Sequence, residues 1–160
     1  MSRSEVVHTL AQWLVARHAT IATAESCTGG NIVAILSSEP GASEWLHTGV
    51  VSYQRTSKEQ VLGLTREELS DGLVSEKTAR AMASHVRRLA GTTYALSSTG
   101  VCGPSESEGI APAAAWIGIA TPTGTTAKWI ELPDSGRRQN QLNITRQALD
   151  ILLTYLQESE

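Results

Sequence analysis

The chain has no apolar run long enough to cross a bilayer as a helix. It also has no internal repeat and no low-complexity tract, which leaves an ordinary globular chain. Its first residues, Met1-Ser2-Arg3-Ser4-Glu5, lead into an amphipathic helix rather than a signal-peptide core, so a cytoplasmic location is the default expectation. Basic residues are few and scattered. There are 13 Lys and Arg against 16 Asp and Glu, a net charge of -3, with adjacent pairs only at Arg87-Arg88 and Arg137-Arg138. A nucleic-acid partner needs a concentrated basic face, so none is expected, and no membrane partner either. Cysteine is scarce. Cys27 and Cys102 lack a metal-ligand spacing, which favours free thiols in a reducing compartment over a disulfide or a redox pair. No close set of histidine, cysteine and carboxylate suggests a metal site, and no cofactor is implied. His8, His18 and His85 fall in or beside predicted helices, and His47 has no serine or aspartate signature nearby. A histidine-based triad is therefore disfavoured.

What is present is one domain's worth of alternating elements. The 160 residues suffice for a proper core, and a single domain over 1–160 is expected. Val6, Val7, Leu10, Trp13 and Leu14 fall at helical spacing over residues 5–17. Ala19–Thr23 reads as a buried strand and Asn31 to about Ser38 as a helix. Gly49–Tyr53 reads as a second strand. A helix is predicted from Ser57, with Ser57 as cap and Gln60 three residues on, which puts Lys58 in its first turn. Thr65-Arg66-Glu67-Glu68 predicts a further short helix, ending near Gly72. Ser75 caps a longer helix that Gly91 ends. Thr93–Ser98 reads as a third strand. Trp116–Thr121 and Thr126–Leu132 read as a hairpin across Pro122-Thr123-Gly124. Residues 139–157 form a last helix, with Leu142, Leu149, Leu152, Leu153 and Leu156 inward. Trp13, Trp116 and Trp129 are assigned to the core, and Trp45 to a partly exposed position near a subunit contact. The alternation predicts a three-layer α/β/α domain with a mixed, mostly parallel sheet.

Sites in such sheets lie at the strand C-terminal ends. The turn Glu25-Ser26-Cys27-Thr28-Gly29-Gly30 follows the first strand, Tyr53 and Lys58 the second, and Thr99-Gly100 the third. A strand breaking into a helix through glycines aims backbone N–H groups at an anion or a developing oxyanion, and would set Ser26 beside such donors. The same residues are also ordinary capping chemistry. A serine, a tyrosine and a lysine suffice for acyl transfer without histidine. The lysine serves as base only if burial or a neighbouring cation lowers its pKa, and the tyrosine hydroxyl can relay the proton or orient the serine.

Ala24-Glu25-Ser26-Cys27-Thr28-Gly29-Gly30 closely resembles the hallmark of the nicotinamide-nucleotide amidohydrolase family, the CinA C-terminal-domain family. Tyr53 with Lys58 five residues later, Val74-Ser75-Glu76, and Thr99-Gly100-Val101-Cys102-Gly103-Pro104 match in order, so the resemblance spans nearly the whole chain. It implies hydrolysis of nicotinamide mononucleotide to nicotinate mononucleotide and ammonia. It further implies Ser26 as nucleophile, Tyr53 and Lys58 as its activating partners, and a homodimer. The small-molecule substrate would meet Cys27, Thr28, Gly29, Gly30, Thr99, Gly100, Gly103 and Arg137. The chain departs from the family pattern after Pro104. Ser105-Glu106-Ser107 stands where a glycine pair is usual, Ala111 where a lysine is, and Gln141 where a second arginine is. A phosphate-bearing substrate needs cationic donors, and this pocket has fewer. Glu106 and Glu108 would add negative charge if they face it. The same machinery therefore also fits a serine amidase with another substrate, or a non-catalytic module that binds a ligand or a protein.

Overall fold

The computed structural model describes residues 1–159. Ser2 opens the first helix, α1 (Arg3–Ala16). Its side chain and that of Glu5 cap each other's backbone N–H groups reciprocally. The chain then enters β1 (Ile21–Glu25), which is buried along its whole length. That is the pattern of a central strand covered on both faces. A tight turn leads to α2 (Asn31–Ser37), a 3₁₀ turn (Ala42–Glu44) and β2 (Leu46–Val51). After α3 (Arg55–Gln60) and a run of turns comes α4 (Glu76–Ala90), capped by Ser75 and closed by the left-handed Gly91. The rest is β3 (Tyr94–Val101), β4 (Ala114–Thr121), β5 (Gly124–Glu131) and α5 (Arg137–Glu158).

The five strands lie in the order β2-β1-β3-β4-β5. β1 runs parallel to β2 and β3, while β4 is antiparallel to both of its neighbours. Only β4 is therefore reversed, and the mixed, mostly parallel α/β domain expected from the alternation is the one found. Successive side chains of each strand feed opposite faces. Ile21, Leu96, Ile117 and Ile119 pack with Leu10, Leu14, Leu149, Leu152 and Leu156 under α1, α2 and α5. Ala22, Ala24, Ala95 and Ala120 pack with Met82, Val86, Leu62, Leu64 and Leu69 on the α4 face. The alanines on that face let α4 lie close to the sheet.

Several local expectations change. Helix α3 starts two residues before Ser57. The Ser57 hydroxyl accepts from the Gln54 N–H (3.0 Å) and donates to the Gln54 carbonyl (2.8 Å). Ser57 thus supports the cap from inside the helix, and Lys58 falls in the last turn rather than the first. The Thr65–Glu68 pair makes both reciprocal bonds, at 2.9 and 3.1 Å, yet the segment stays a run of turns. Between Gly63 and the left-handed Gly72 there is too little chain to repay helix nucleation. Thr99 and Gly100 lie inside β3, not in a loop after it. Trp45 is buried at 1% exposure in the core under α1, because the 3₁₀ turn points it inward, so it marks no subunit contact. Trp13, Trp116 and Trp129 are only half-buried, as is Leu142. Trp116 and Trp129 pack across adjacent strands in a tilted pair with ring centres 5.4 Å apart.

Candidate active site

Ser26 is the first residue past β1, and it continues that strand's bonding. Its N–H donates to the Ser98 carbonyl (3.0 Å), while Ser52 N–H donates to the Glu25 carbonyl (2.9 Å). Ser26, Ser52 and Ser98 of β3 therefore lie side by side where β1 and β2 end. Lys58 reaches them from α3. Its side chain is 1% exposed, and its Nζ meets Ser26 Oγ at 3.0 Å, the Ser52 carbonyl at 2.7 Å and the Tyr53 carbonyl at 3.3 Å. Ser26 Oγ has a second, longer contact, 3.5 Å to the Tyr53 carbonyl.

That geometry orients the amine. A neutral amine has two N–H donors and one lone pair. Two carbonyls can only accept, so they take the two N–H groups and leave the lone pair directed at Ser26 Oγ. Burial favours the neutral form and pushes Lys58 down to about 8, against opposition from the negative charge of Glu108. About a tenth of the molecules then hold a neutral lysine at pH 7.

The turn after Ser26 is built on glycine. Gly29 and Gly30 have φ of 60° and 98°, successive left-handed positions that residues with a Cβ rarely take. Glu25, wholly buried, turns the other way. Its carboxylate accepts from Thr28 Oγ1 (2.6 Å), Ile32 N–H (2.9 Å) and Val33 N–H (3.0 Å). The start of α2 is thus already capped by a carboxylate of the chain itself, and those donors are not open to a ligand. The N–H groups of Cys27, Thr28 and Gly30 remain, with no acceptor among the described residues. They are the free backbone donors closest along the chain to Ser26. The Thr28 hydroxyl is held between Glu25 and Ser98 Oγ (2.7 Å), so Thr28 offers a ligand its backbone only.

The remaining predicted residues divide. Arg137, at the start of α5, donates to the Gly103 carbonyl and to the Tyr53 hydroxyl, and so ties three predicted residues into one wall. Tyr53 is half exposed and its hydroxyl faces Arg137, so it does not stand between Ser26 and Lys58. The buried Thr99 hydroxyl is committed to the Leu73 carbonyl (2.6 Å). Gly100 is required by strand packing, since a Cβ there would lie 2.4 Å from the Ala114 carbonyl oxygen and 2.5 Å from Ala115 Cβ. Glu108 folds back onto the Leu73 and Val74 N–H groups (2.9 and 3.4 Å), while Glu106 stays exposed. Glu25, Ser52, Ser98 and Asn140 are structural parts of the site that the sequence reading passed over. Buried Asn140 donates to the Cys102 and Asp134 oxygens, both at 2.9 Å. Only Glu25 carried a signal, as a carboxylate within the signature turn.

A family profile described as the CinA C-terminal domain matches residues 3–156. The chain belongs to the CinA C-terminal-domain family. A protein named putative competence-damage inducible protein, from Desulforamulus reducens, is 43% identical over 130 residues, covering 81% of this chain and 32% of that protein. A CinA-like protein of Frankia casuarinae is 44% identical over 121 residues, covering 75% of this chain and 28% of its own length. The chain thus spans about a third of the curated relatives it matches. Among solved structures, the competence damage-inducible protein A of Klebsiella pneumoniae superposes with a TM-score of 0.95 at 29% identity over the whole of both chains. A competence-damaged protein superfamily member from Enterobacter cloacae gives 0.93 at 26% identity, covering 98% of this chain and 93% of that one. No helix among the described residues of this CinA-family domain is long and apolar enough to cross a membrane.

Proposed function

We propose that this chain is a serine amidohydrolase that converts nicotinamide mononucleotide to nicotinate mononucleotide and ammonia. The observation that carries the reading is the buried Lys58 amine, 3.0 Å from Ser26 Oγ and held by two carbonyls. The resemblance of the Ser26 turn to the nicotinamide-nucleotide amidohydrolases supplies the substrate. Neutral Lys58 takes the Ser26 proton as Oγ attacks the carboxamide carbon. The Cys27 and Thr28 N–H groups receive the oxyanion. As the tetrahedral intermediate collapses, protonated Lys58 returns its proton to the leaving nitrogen and ammonia departs. A water molecule, deprotonated by the same lysine, then cleaves the ester and frees the nicotinate product and Ser26. Tyr53 acts by seating Arg137, whose guanidinium faces the substrate phosphate. The substrate is a small molecule, and no cofactor enters the scheme.

A second reading, an amidase for an uncharged or differently charged amide, is favoured by one observation. Ala111 and Gln141 supply no cation, while Glu108 sends negative charge toward Lys58. Ammonia release from nicotinamide mononucleotide by the purified chain, run beside Ser26→Ala, tests both. Release by the parent and none by the variant is expected. Equal release from both would remove Ser26 from the chemistry. No release from either would redirect the search to other amides, and silence across an amide panel would leave a binding module.

A further inference from the structure

The two cysteines stand outside the acyl-transfer chemistry, yet the fold brings them together. Cys27 follows the nucleophile directly and Cys102 follows β3, 75 residues further along the chain. Both are free thiols, buried at 5% and 4% exposure. Cys102 Sγ–H donates to the Cys27 carbonyl oxygen at 3.3 Å, which sets the Cys102 sulfur directly against residue 27. The two thiols also differ in character. The contact with Cys102 and burial push the Cys27 thiol up, whereas the contact with Cys27, with the charge of Arg137 and against the opposing effect of burial, holds Cys102 below its ordinary value. A thiolate-prone sulfur beside a neutral thiol is the arrangement in which the first is oxidised and the second resolves it.

We propose that Cys27 and Cys102 form a peroxide-responsive dithiol that closes to a disulfide and switches off the Ser26 site. The Cys102 thiolate attacks one oxygen of hydrogen peroxide, giving a sulfenic acid and hydroxide. The Cys27 thiol then displaces the sulfenic oxygen, forming the S–S bond and releasing water. Two thiols are oxidised by two electrons, and the peroxide is reduced to two waters once hydroxide takes up the thiol proton. The new bond would pull Cys27 toward the Cys102–Gly103 segment. That segment is anchored by Asn140 on the Cys102 carbonyl (2.9 Å), and the Cys27 carbonyl would have to leave Gln141 Nε2 (3.2 Å). The Cys27 and Thr28 N–H groups move with it. The loss of activity rests on the Ser26 reading above, but formation of the cross-link does not.

The test treats the full chain with hydrogen peroxide and digests it with trypsin without reductant. Cys27 lies in the peptide 18–55 and Cys102 in 89–128, each the one cysteine of its peptide. The expected product is those two peptides joined, two hydrogens lighter than their sum, and separated again by dithiothreitol. Amidase activity of the parent is expected to fall about a hundredfold in step with the cross-link, the scale of a displacement of about 1 Å at a reacting centre. It should recover with reductant. Cys102→Ala, checked for its fold by circular dichroism, keeps its activity through peroxide. A sulfinic acid at Cys102 without cross-linking, or both thiols left unoxidised, overturns the dithiol. A complete cross-link with full activity overturns the switch. A reduced parent inactive toward every amide defeats the functional reading instead, and the dithiol is then decided by the peptide map.

Discussion

The Tyr53 hydroxyl accepts a hydrogen bond from Arg137 while the Tyr53 carbonyl lies 3.3 Å from Lys58 Nζ. One residue thus meets Lys58 with its backbone and Arg137 with its side chain. Tyr53→Phe leaves the backbone contact in place. It should change kcat by no more than a few-fold while raising KM, because Arg137 loses its seat. A proton relay through the phenol would instead cost about 10²–10⁴ in kcat. Steady-state kinetics of the variant separates the two.

The Lys58 base should set the pH profile. Only its neutral form takes the Ser26 proton, and burial holds it at about 8. kcat/KM should therefore rise about tenfold per pH unit below that value and level off above it. Lys58→Met should abolish turnover without displacing Ser26. A rate independent of pH between 6 and 9 would remove Lys58 as the base.

On the proposed reading, Arg137 holds the substrate phosphate. For Arg137→Ala, loss of a charge-assisted contact worth about 1.5–3 kcal/mol should raise KM for the mononucleotide by roughly 10- to 100-fold. The corresponding nucleoside, without its phosphate, should be hydrolysed equally by parent and variant. An equal loss on both substrates would assign Arg137 to the wall alone.

Glu25 is a stability residue within the signature turn. Glu25→Ala strands the buried Ile32 N–H and the half-buried Val33 N–H, and leaves the Thr28 hydroxyl with Ser98 alone. A cost of about 2–4 kcal/mol is expected from chemical denaturation, the sum of one or two unsatisfied donors and the lost charge at the start of α2.

Gly100→Ala tests packing rather than binding. The added methyl meets the β4 backbone at 2.4 Å, and that backbone cannot rotate away. The variant should lose about 1–3 kcal/mol or more, read as a lowered midpoint of denaturation. An alanine variant of full stability and altered KM would restore Gly100 to the substrate pocket.

Much of this molecule is written in short stretches. The spacing of Val6, Leu10 and Leu14, the cap at Ser75 and the stop at Gly91 determined α1 and α4, because periodicity and caps act within a few residues. The alternation of elements determined the α/β class, and the turn Glu25–Gly30 marked the sheet edge where the site lies. Tertiary structure decided the rest. No sequence spacing could say that Lys58 touches Ser26 directly, that the Tyr53 phenol faces Arg137, or that Thr99 spends its hydroxyl on Leu73. Nor could it say that Trp45 is buried, or that two scattered cysteines meet. Those facts depend on side-chain directions across neighbouring strands and on loops that return from 32 to 84 residues away, as in the Lys58, Cys102 and Arg137 contacts. Local propensity carries no record of that geometry.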